Sequence, residues 1–287
     1  MNHQIDWRDR EKVEALRRTF GHELSSHAFL SMYLWRRQLG LFLVVEENLF
    51  TARIAREKNC WFFPCGSEPA IRDFLKRHEE ADFGMRYLRQ QDVELVRKLA
   101  GDSFVFTRDA DASEYIYERR GHEALAGKAY ANVRTQLHKI EREHEMRAER
   151  ITRENLPLCM QVLEEWEQEH ETGAGWARES CRVDAEGLEN SEIFGIDGIV
   201  VFADGRPAGV AAGYPLTEDT YDLFLAKAAY SYPGLSYYIQ RSFFLSRPDG
   251  VDYINMEEDL GMEGLRSMKQ RLSPVRMNEL WRADKKV

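Results

Sequence analysis

The sequence predicts an α/β (α+β) protein of two similar lobes, each a mixed, largely antiparallel sheet flanked by helices. Three observations predict it. One order of elements (helix, helix, three strands in a row, helix, strand, helix, strand) occurs in both halves of the chain. The strand triplet of the second half is interrupted only by short turns, Asp204-Gly205-Arg206-Pro207 and Thr217-Glu218-Asp219. The length of 287 residues is long for one domain and comfortable for two of about 140 each. We expect lobes at 1–125 and 126–287, the second including a connecting helix.

In the first half, Asp9–Phe20 and His27–Arg37 have apolar residues at helical spacing. Three strands follow, Leu41–Val45, Leu49–Ala55 and Cys60–Phe63, the first two joined by the turn Glu46-Glu47-Asn48. Pro64-Cys65-Gly66-Ser67 breaks the run, and Ser67 is placed to cap a helix from Glu68 to about Glu80. A strand Gly84–Leu88, a helix Gln91–Leu99 and a strand Ser103–Thr107 complete the set. Glu114-Tyr115-Ile116-Tyr117 reads as a further alternating strand. The helix from about Tyr130 to His144 carries Val133, Leu137 and Ile140 as its apolar stripe. The span Ala129–Arg150 has no Pro or Gly, so it is a rigid tie and not a linker.

The second half repeats the succession from Glu145 onwards. Its three strands are Gly198–Ala203, Val210–Leu216 and Tyr221–Ala229, and the next helix opens at Pro233-Gly234-Leu235. An apolar strand then runs into Asn255-Met256-Glu257-Glu258-Asp259, followed by a helix bearing Arg266, Lys269 and Arg271.

Composition bounds the function. Hydrophobic content of 43% and aromatic content of 11% support packed cores. No apolar run approaches the ~18 residues of a membrane-spanning helix, and Met1–Trp7 lacks a signal pattern, so a cytoplasmic protein is expected. Net charge is −9, unevenly placed: residues 151–287 hold 14 Lys+Arg against 24 Asp+Glu. That half repels a polyanion, so an RNA or phosphate ligand must find its cations in the first half or at the junction. Cys60, Cys65, Cys159 and Cys181 form no CxxC pair and read as buried, reduced thiols. The histidines show no metal-ligand spacing, so no metal is expected.

Three segments carry residue types suited to chemistry. Gly127-Lys128-Ala129-Tyr130 leads into a helix with Arg134, where cations and first-turn amides suit a phosphate or carboxylate. The same residues also read as a solvated, ion-paired helix face. Lys227 ends a strand just before Pro233 and Gly234, where glycine lets a ligand approach the backbone. Glu258 and Asp259, with Arg266 and Lys269 on the following helix, suit an ammonium group or a general base; they also read as helix-capping and ion-pairing groups. Trp166, Trp176 and Trp281 read as core or rim residues.

The order of elements resembles that of GNAT-type acyltransferases, whose central strands splay apart to admit an acyl donor. The runs from Glu114-Tyr115-Ile116-Tyr117 to Leu125-x-Gly127-Lys128-x-Tyr130-x-x-x-Arg134, and from Tyr253-Ile254-Asn255 to Lys269, resemble a family of bacterial proteins, DUF2156. That family is related to the C-terminal domain of phosphatidylglycerol lysyltransferase. The likeness spans most of the chain and implies a tandem GNAT-like fold. In lysyltransferases the domain moves an amino acid from aminoacyl-tRNA onto a lipid headgroup. By this resemblance Lys128, Tyr130 and Arg134 sit near a groove between the halves, and Lys227, Gly234, Glu258, Asp259 and Lys269 face it from the second half. The chain departs from the family at Thr135, His138, Ala226 and Ala229.

The resulting expectation is an acyl- or aminoacyl-transferase with Glu258 as base, needing no resident cofactor. Its donor would be aminoacyl-tRNA or acyl-CoA, and its acceptor a small molecule or a headgroup. The single Gly234, where acyl-CoA users have a richer glycine loop, favours the tRNA donor. The alternatives are an acyl-CoA-dependent N-acetyltransferase-like enzyme and a non-catalytic module that binds a small ligand on the same fold.

Overall fold

A computed structural model describes residues 3–79, 82–170 and 175–286. The first half runs β1 (His3–Gln4), α1 (Arg10–Thr19), α2 (Phe29–Leu39), β2 (Leu41–Val45), β3 (Leu49–Ile54), β4 (Cys60–Phe62), β5 (Cys65–Gly66), α3 (Glu68–Arg77), β6 (Gly84–Leu88), α4 (Gln90–Ala100) and β7 (Phe104–Glu118). Then come α5 (Arg119–Ala124) and α6 (Ala131–Glu143). The second half runs β8 (Met146–Arg150), α7 (Leu156–His170), α8 (Trp176–Glu189), α9 (Ser191–Phe194), β9 (Asp197–Ala203), β10 (Arg206–Pro215), β11 (Thr220–Ala228), α10 (Leu235–Leu245), β12 (Tyr253–Asn255), α11 (Glu263–Arg271) and β13 (Arg276–Lys285). The repeated succession is present in both halves. No helix among the described residues is long and apolar enough to cross a membrane.

Local chemistry accounts for these boundaries. Ser67 caps α3 by accepting the Ala70 N–H, and Ile71, Phe74 and Leu75 form its buried stripe. The expected end of that helix at Glu80 lies outside the described residues; α3 itself closes at Arg77. The stripe Val133, Leu137 and Ile140 of α6 is buried as its spacing requires. One expectation is corrected. The two short strands at 103–107 and 114–117 are a single 15-residue strand, β7. Ladder pairing carries it through the polar stretch Arg108–Ser113, which propensity alone disfavours.

The chain divides into two compact units. Unit 1 is Met1–Glu114, Glu258–Gly261 and Met277–Val287; unit 2 is Tyr115–Glu257 and Met262–Arg276. Where a cut at 125/126 was expected, the units therefore interleave along the chain. In unit 1 the strand order is β1-β2-β3-β4-β6-β13-β7. The β4–β6 pair is parallel, from Cys60↔Gly84 to Phe62↔Arg86, and β13 is antiparallel to β6, with Trp281↔Leu88. Side chains alternate across this sheet. Phe50, Phe62 and Leu43 meet Val13, Phe29 and Met32 of α1 and α2 on one face. Trp61, Phe63 and Met85 meet Ile71, Phe74, Val93 and Val96 of α3 and α4 on the other.

In unit 2 the order is the tail of β7, then β12-β11-β10-β9-β8. The β11–β12 pair is parallel and β12 is antiparallel to β7, with Tyr253↔Glu118. Helices α7 and α8 cover one face; α10, backed by α5 and α6, covers the other. The last strand of each half thus completes the sheet that the other half begins.

All four cysteines are buried and unpaired with one another. Burial pushes the thiols of Cys60, Cys65 and Cys159 up to about 12 and that of Cys181 to about 11. Histidines are also interred. His22 stacks on His27 with ring centroids 3.9 Å apart, and the His27 Nε2 meets the Phe63 carbonyl at 2.8 Å. Burial holds His22 well below its ordinary value, lowers His27 to about 3, and lowers His122 in unit 2 to about 4.

These three imidazoles are neutral when folded and protonate near pH 6.5 when unfolded. The unfolded chain therefore binds more protons below that pH. The stability is fully present above about 6.5 and is lost as pH falls towards 4, by at most about 1.4 kcal/mol per pH unit per histidine. A series of urea melts should show this slope, and His122→Leu should reduce it. A chain ending at residue 275 lacks β13 and leaves Met85 and Leu88 uncovered. It should show no cooperative melting by circular dichroism.

Candidate active site

The site is built where β11 leaves β12 inside unit 2. The register of β10 with β11 passes from Ala212↔Leu225 to Tyr214↔Asp222, so β11 holds one extra residue there. This is a β-bulge, a device that bends a strand and ends its pairing. A Cβ on Gly213 would lie 1.9 Å from the Asp222 carbonyl oxygen, so only glycine lets the two backbones close on each other at the bulge. On its other edge, β11 pairs with β12 only as far as Asp222↔Asn255. Both side chains at that last rung are fully buried. Residues Leu223–Ala228 run on past the end of β12, and the two strands part.

Helix α10 follows β11 after a short loop. Gly234 is its N-cap in the left-handed region at φ 96°, with the Gln136 carbonyl 3.2 Å from where its Cβ would be. Pro233 thus precedes the cap and does not occupy the first helical turn. Asn132 of α6 donates to the Tyr237 hydroxyl of α10 at 3.1 Å. The two helices bring the Lys128–Arg134 segment and Gly234 into one region of unit 2.

Lys227 sits near the end of β11 in a polar cluster supplied by α7 and α8. Its ammonium lies 2.8 Å from Ser180 Oγ, 3.4 Å from Asp184 Oδ2 and 3.7 Å from the centre of the Trp166 ring. Burial pushes the Asp184 carboxyl up, and the Lys227 charge opposes that rise. Trp166 stacks on His170 at 3.8 Å, and His170 on Tyr230 at 4.3 Å. The Tyr230 N–H donates to the Glu169 carboxylate at 3.0 Å. The sequence reading missed Asp184, Ser180 and the stacking role of Trp166. The only available signal was an acid, Asp184, on the apolar stripe of α8 between Cys181 and Leu188.

The segment that follows β12 is strained. Glu257, Leu260 and Gly261 all have positive φ, at 55°, 54° and 71°. Non-glycine residues hold such angles only where surrounding bonds fix them. In unit 2, Asn255 Oδ1 accepts the Glu257 N–H at 2.8 Å, and the Tyr115 N–H donates to the Glu257 carbonyl at 3.1 Å. The buried Lys269 ammonium donates to the Met256 carbonyl and, at 3.3 Å, to the Glu257 carbonyl. Tyr117 Oη donates to the Lys269 carbonyl at 2.8 Å. In unit 1, the buried Asp259 carboxylate accepts the Gly261 N–H at 2.9 Å, and the Leu260 N–H reaches the Asp111 carbonyl at 3.1 Å.

Of the residues singled out in sequence, Lys128, Tyr130, Arg134, Lys227, Gly234, Arg266 and Lys269 belong to unit 2, while Glu258 and Asp259 belong to unit 1. Lys128 is exposed. Arg134 donates to the carbonyls of Leu125 and Gly127, so its guanidinium closes the turn ahead of α6. The Tyr130 ring packs edge-on against His122 at 5.2 Å. Arg266 lies half-buried in the first turns of α11. Lys269 and Asp259 hold backbone where a ligand-facing role was expected. Glu258 is half-buried, and its charge helps raise the Tyr87 hydroxyl.

Two mixed sheets flanked by helices, built from the same succession of elements, with a bulged, parting pair of central strands in unit 2, define an acyltransferase-like fold. A family model described as phosphatidylglycerol lysyltransferase, C-terminal, matches residues 17–284, and the chain belongs to that family. A conserved protein of unknown function from Bacteroides thetaiotaomicron VPI-5482 superposes with a TM-score of 0.89 at 24% identity, covering 99% of each chain. The L-PGS of Bacillus licheniformis superposes with a TM-score of 0.66 at 18% identity, covering 99% of this chain and 93% of that one. The C-terminal domain (DUF2156) of a protein designated a lysylphosphatidylglycerol synthetase, from Agrobacterium fabrum, gives 0.67 at 15%, covering 98% and 92%. At these identities the likeness shows the fold. No curated protein sequence matches this one.

The Lys269 clamp is testable. Lys269→Met removes the ammonium that donates to the Met256 and Glu257 carbonyls, the second of which keeps the Tyr115 N–H, and should cost about 1–3 kcal/mol, read from denaturant midpoints. Tyr117→Phe removes a single bond from the same cluster and should cost about 1 kcal/mol.

Proposed function

We propose that this chain is a transferase that moves an acyl or aminoacyl group from an activated ester or thioester to an amine or hydroxyl. The observation that carries this reading is the parting of β11 from β12 at the bulge. The flank of β11 beyond Asp222 presents backbone amide groups that an extended, amide-bearing donor arm can pair with, as an added strand would. The acceptor's lone pair attacks the donor carbonyl. The tetrahedral oxyanion collapses and expels the donor's oxygen or sulfur, and the acceptor's proton passes to a base. Rate comes from alignment and from donors aimed at the oxyanion. The Lys227–Asp184–Ser180 cluster is a positioning device in this reading, because it ties α8 to β11 just past the bulge.

For the base we propose Glu258, on its residue type alone. Family membership favours aminoacyl-tRNA as donor and a lipid headgroup as acceptor. The parted strands also suit acyl-CoA, which is the second reading. The net negative second half weighs against a polyanion, so any RNA contact must rely on exposed cations such as Lys128.

The test presents the chain with a charged tRNA pool or with acetyl-CoA, each with phosphatidylglycerol vesicles or a metabolite extract, and reads products by mass spectrometry. The expected result is an aminoacylated or acylated product whose formation falls about 10²–10⁴-fold in Glu258→Gln. Full turnover in that variant removes Glu258 from the role. Absence of product with every donor overturns the transferase reading. If tRNA is the donor, Lys128→Gln should weaken its binding and lower the salt slope by about 1.

A further inference from the structure

Unit 1 holds a cavity of its own, of about 270 Å³, at the end of the parallel β4–β6 pair. Its volume falls just below the ~300–1,000 Å³ typical of drug-sized ligands, so it suits a small metabolite. Leu39 and Ile54 give it an apolar side. Arg86 also lines it, but this guanidinium is already spent: it donates to Asp284 at 2.9 Å and to Glu57 at 3.0 Å.

Two other lining groups are not spent. Asp109 on β7 and Arg282 on β13 face the same cavity, and neither side chain pairs with the other or with any other described residue. A carboxylate and a guanidinium in one small cavity that do not meet leave room for a molecule with both charges. Tyr87 stands among the lining residues with φ 60°, a left-handed conformation that an aromatic residue adopts only at a cost. It sits one residue past the last β4–β6 rung, so the strain falls where the pairing ends. Burial raises its hydroxyl, and the carboxylates of Glu258, Asp109 and Glu57 add to the rise. Negative charge is therefore gathered on the Tyr87 side.

We propose that this cavity binds a small zwitterion of the size of a free amino acid, with its ammonium at Asp109 beside Tyr87 and its carboxylate at Arg282. The proposal concerns unit 1 alone and does not rest on the transfer reaction.

The test titrates the full chain with each of the twenty free L-amino acids by thermal shift and calorimetry. At least one should raise the melting temperature saturably by mass action. For that amino acid, its N-acetyl form (no ammonium) and its amide (no carboxylate) should each bind about tenfold more weakly or worse. Asp109→Asn should weaken the free amino acid about tenfold and remove the preference over the N-acetyl form. Arg282→Gln should do the same for the amide. Failure of all twenty to bind overturns the proposal, as does equal binding of the blocked forms or full affinity in both variants. Should a variant fail to fold, the blocked forms on the natural chain decide.

Discussion

Neither sheet is completed by its own half of the chain. The strand β13, made last, lies beside β6 in unit 1, and the tail of β7 lies beside β12 in unit 2. An open sheet edge presents unpaired amides and apolar rungs, and each half would carry one if it folded alone. The exchange supplies Leu280 and Ala283, both fully buried, to unit 1 and the rung Tyr253↔Glu118 to unit 2. It also sets the folding problem. Pairing β13 with β6 joins residues nearly two hundred positions apart, so unit 1 cannot finish until the whole chain is available.

The polar groups inside unit 2 work against that background of long-range pairing. Lys227, Asp184 and Lys269 are all substantially desolvated, and each is retained with a charged or carbonyl partner. Buried ionic groups contribute little net stability, but removing one partner is costly. They act here as register pins. Lys227 fixes β11 against α8, and Lys269 fixes the turn after β12 in backbone angles that the residues there resist.

Much of the fold was legible because its signals are local. Turn residues bounded the strand triplet, Ser67 marked a helix start, and the stripe Val133, Leu137 and Ile140 marked a buried face. β7 was misread because Arg108–Ser113 looks like a loop until its ladder partners are known. The exchange of last strands was invisible, since nothing in the composition of β13 says which edge it will join. Among site residues, a cation's identity was readable but its employment was not. Arg134 and Lys269 look like ligand-binding groups, yet each satisfies backbone carbonyls. Lys227 was noticed, but its partners Ser180 and Asp184 lie more than forty positions away, beyond any motif. Asp109 and Arg282 carried no signal, because their meaning depends on not being paired.

The four interred thiols have a practical corollary. With values of about 11 to 12, about one in ten thousand or fewer is ionised at neutral pH, and none lies at the surface. Thiolate is the species that maleimides and iodoacetamides attack. The natural chain is therefore chemically quiet towards such reagents, and a cysteine placed at an exposed position such as Val105 becomes a unique handle for a fluorophore or spin label without stripping the native four.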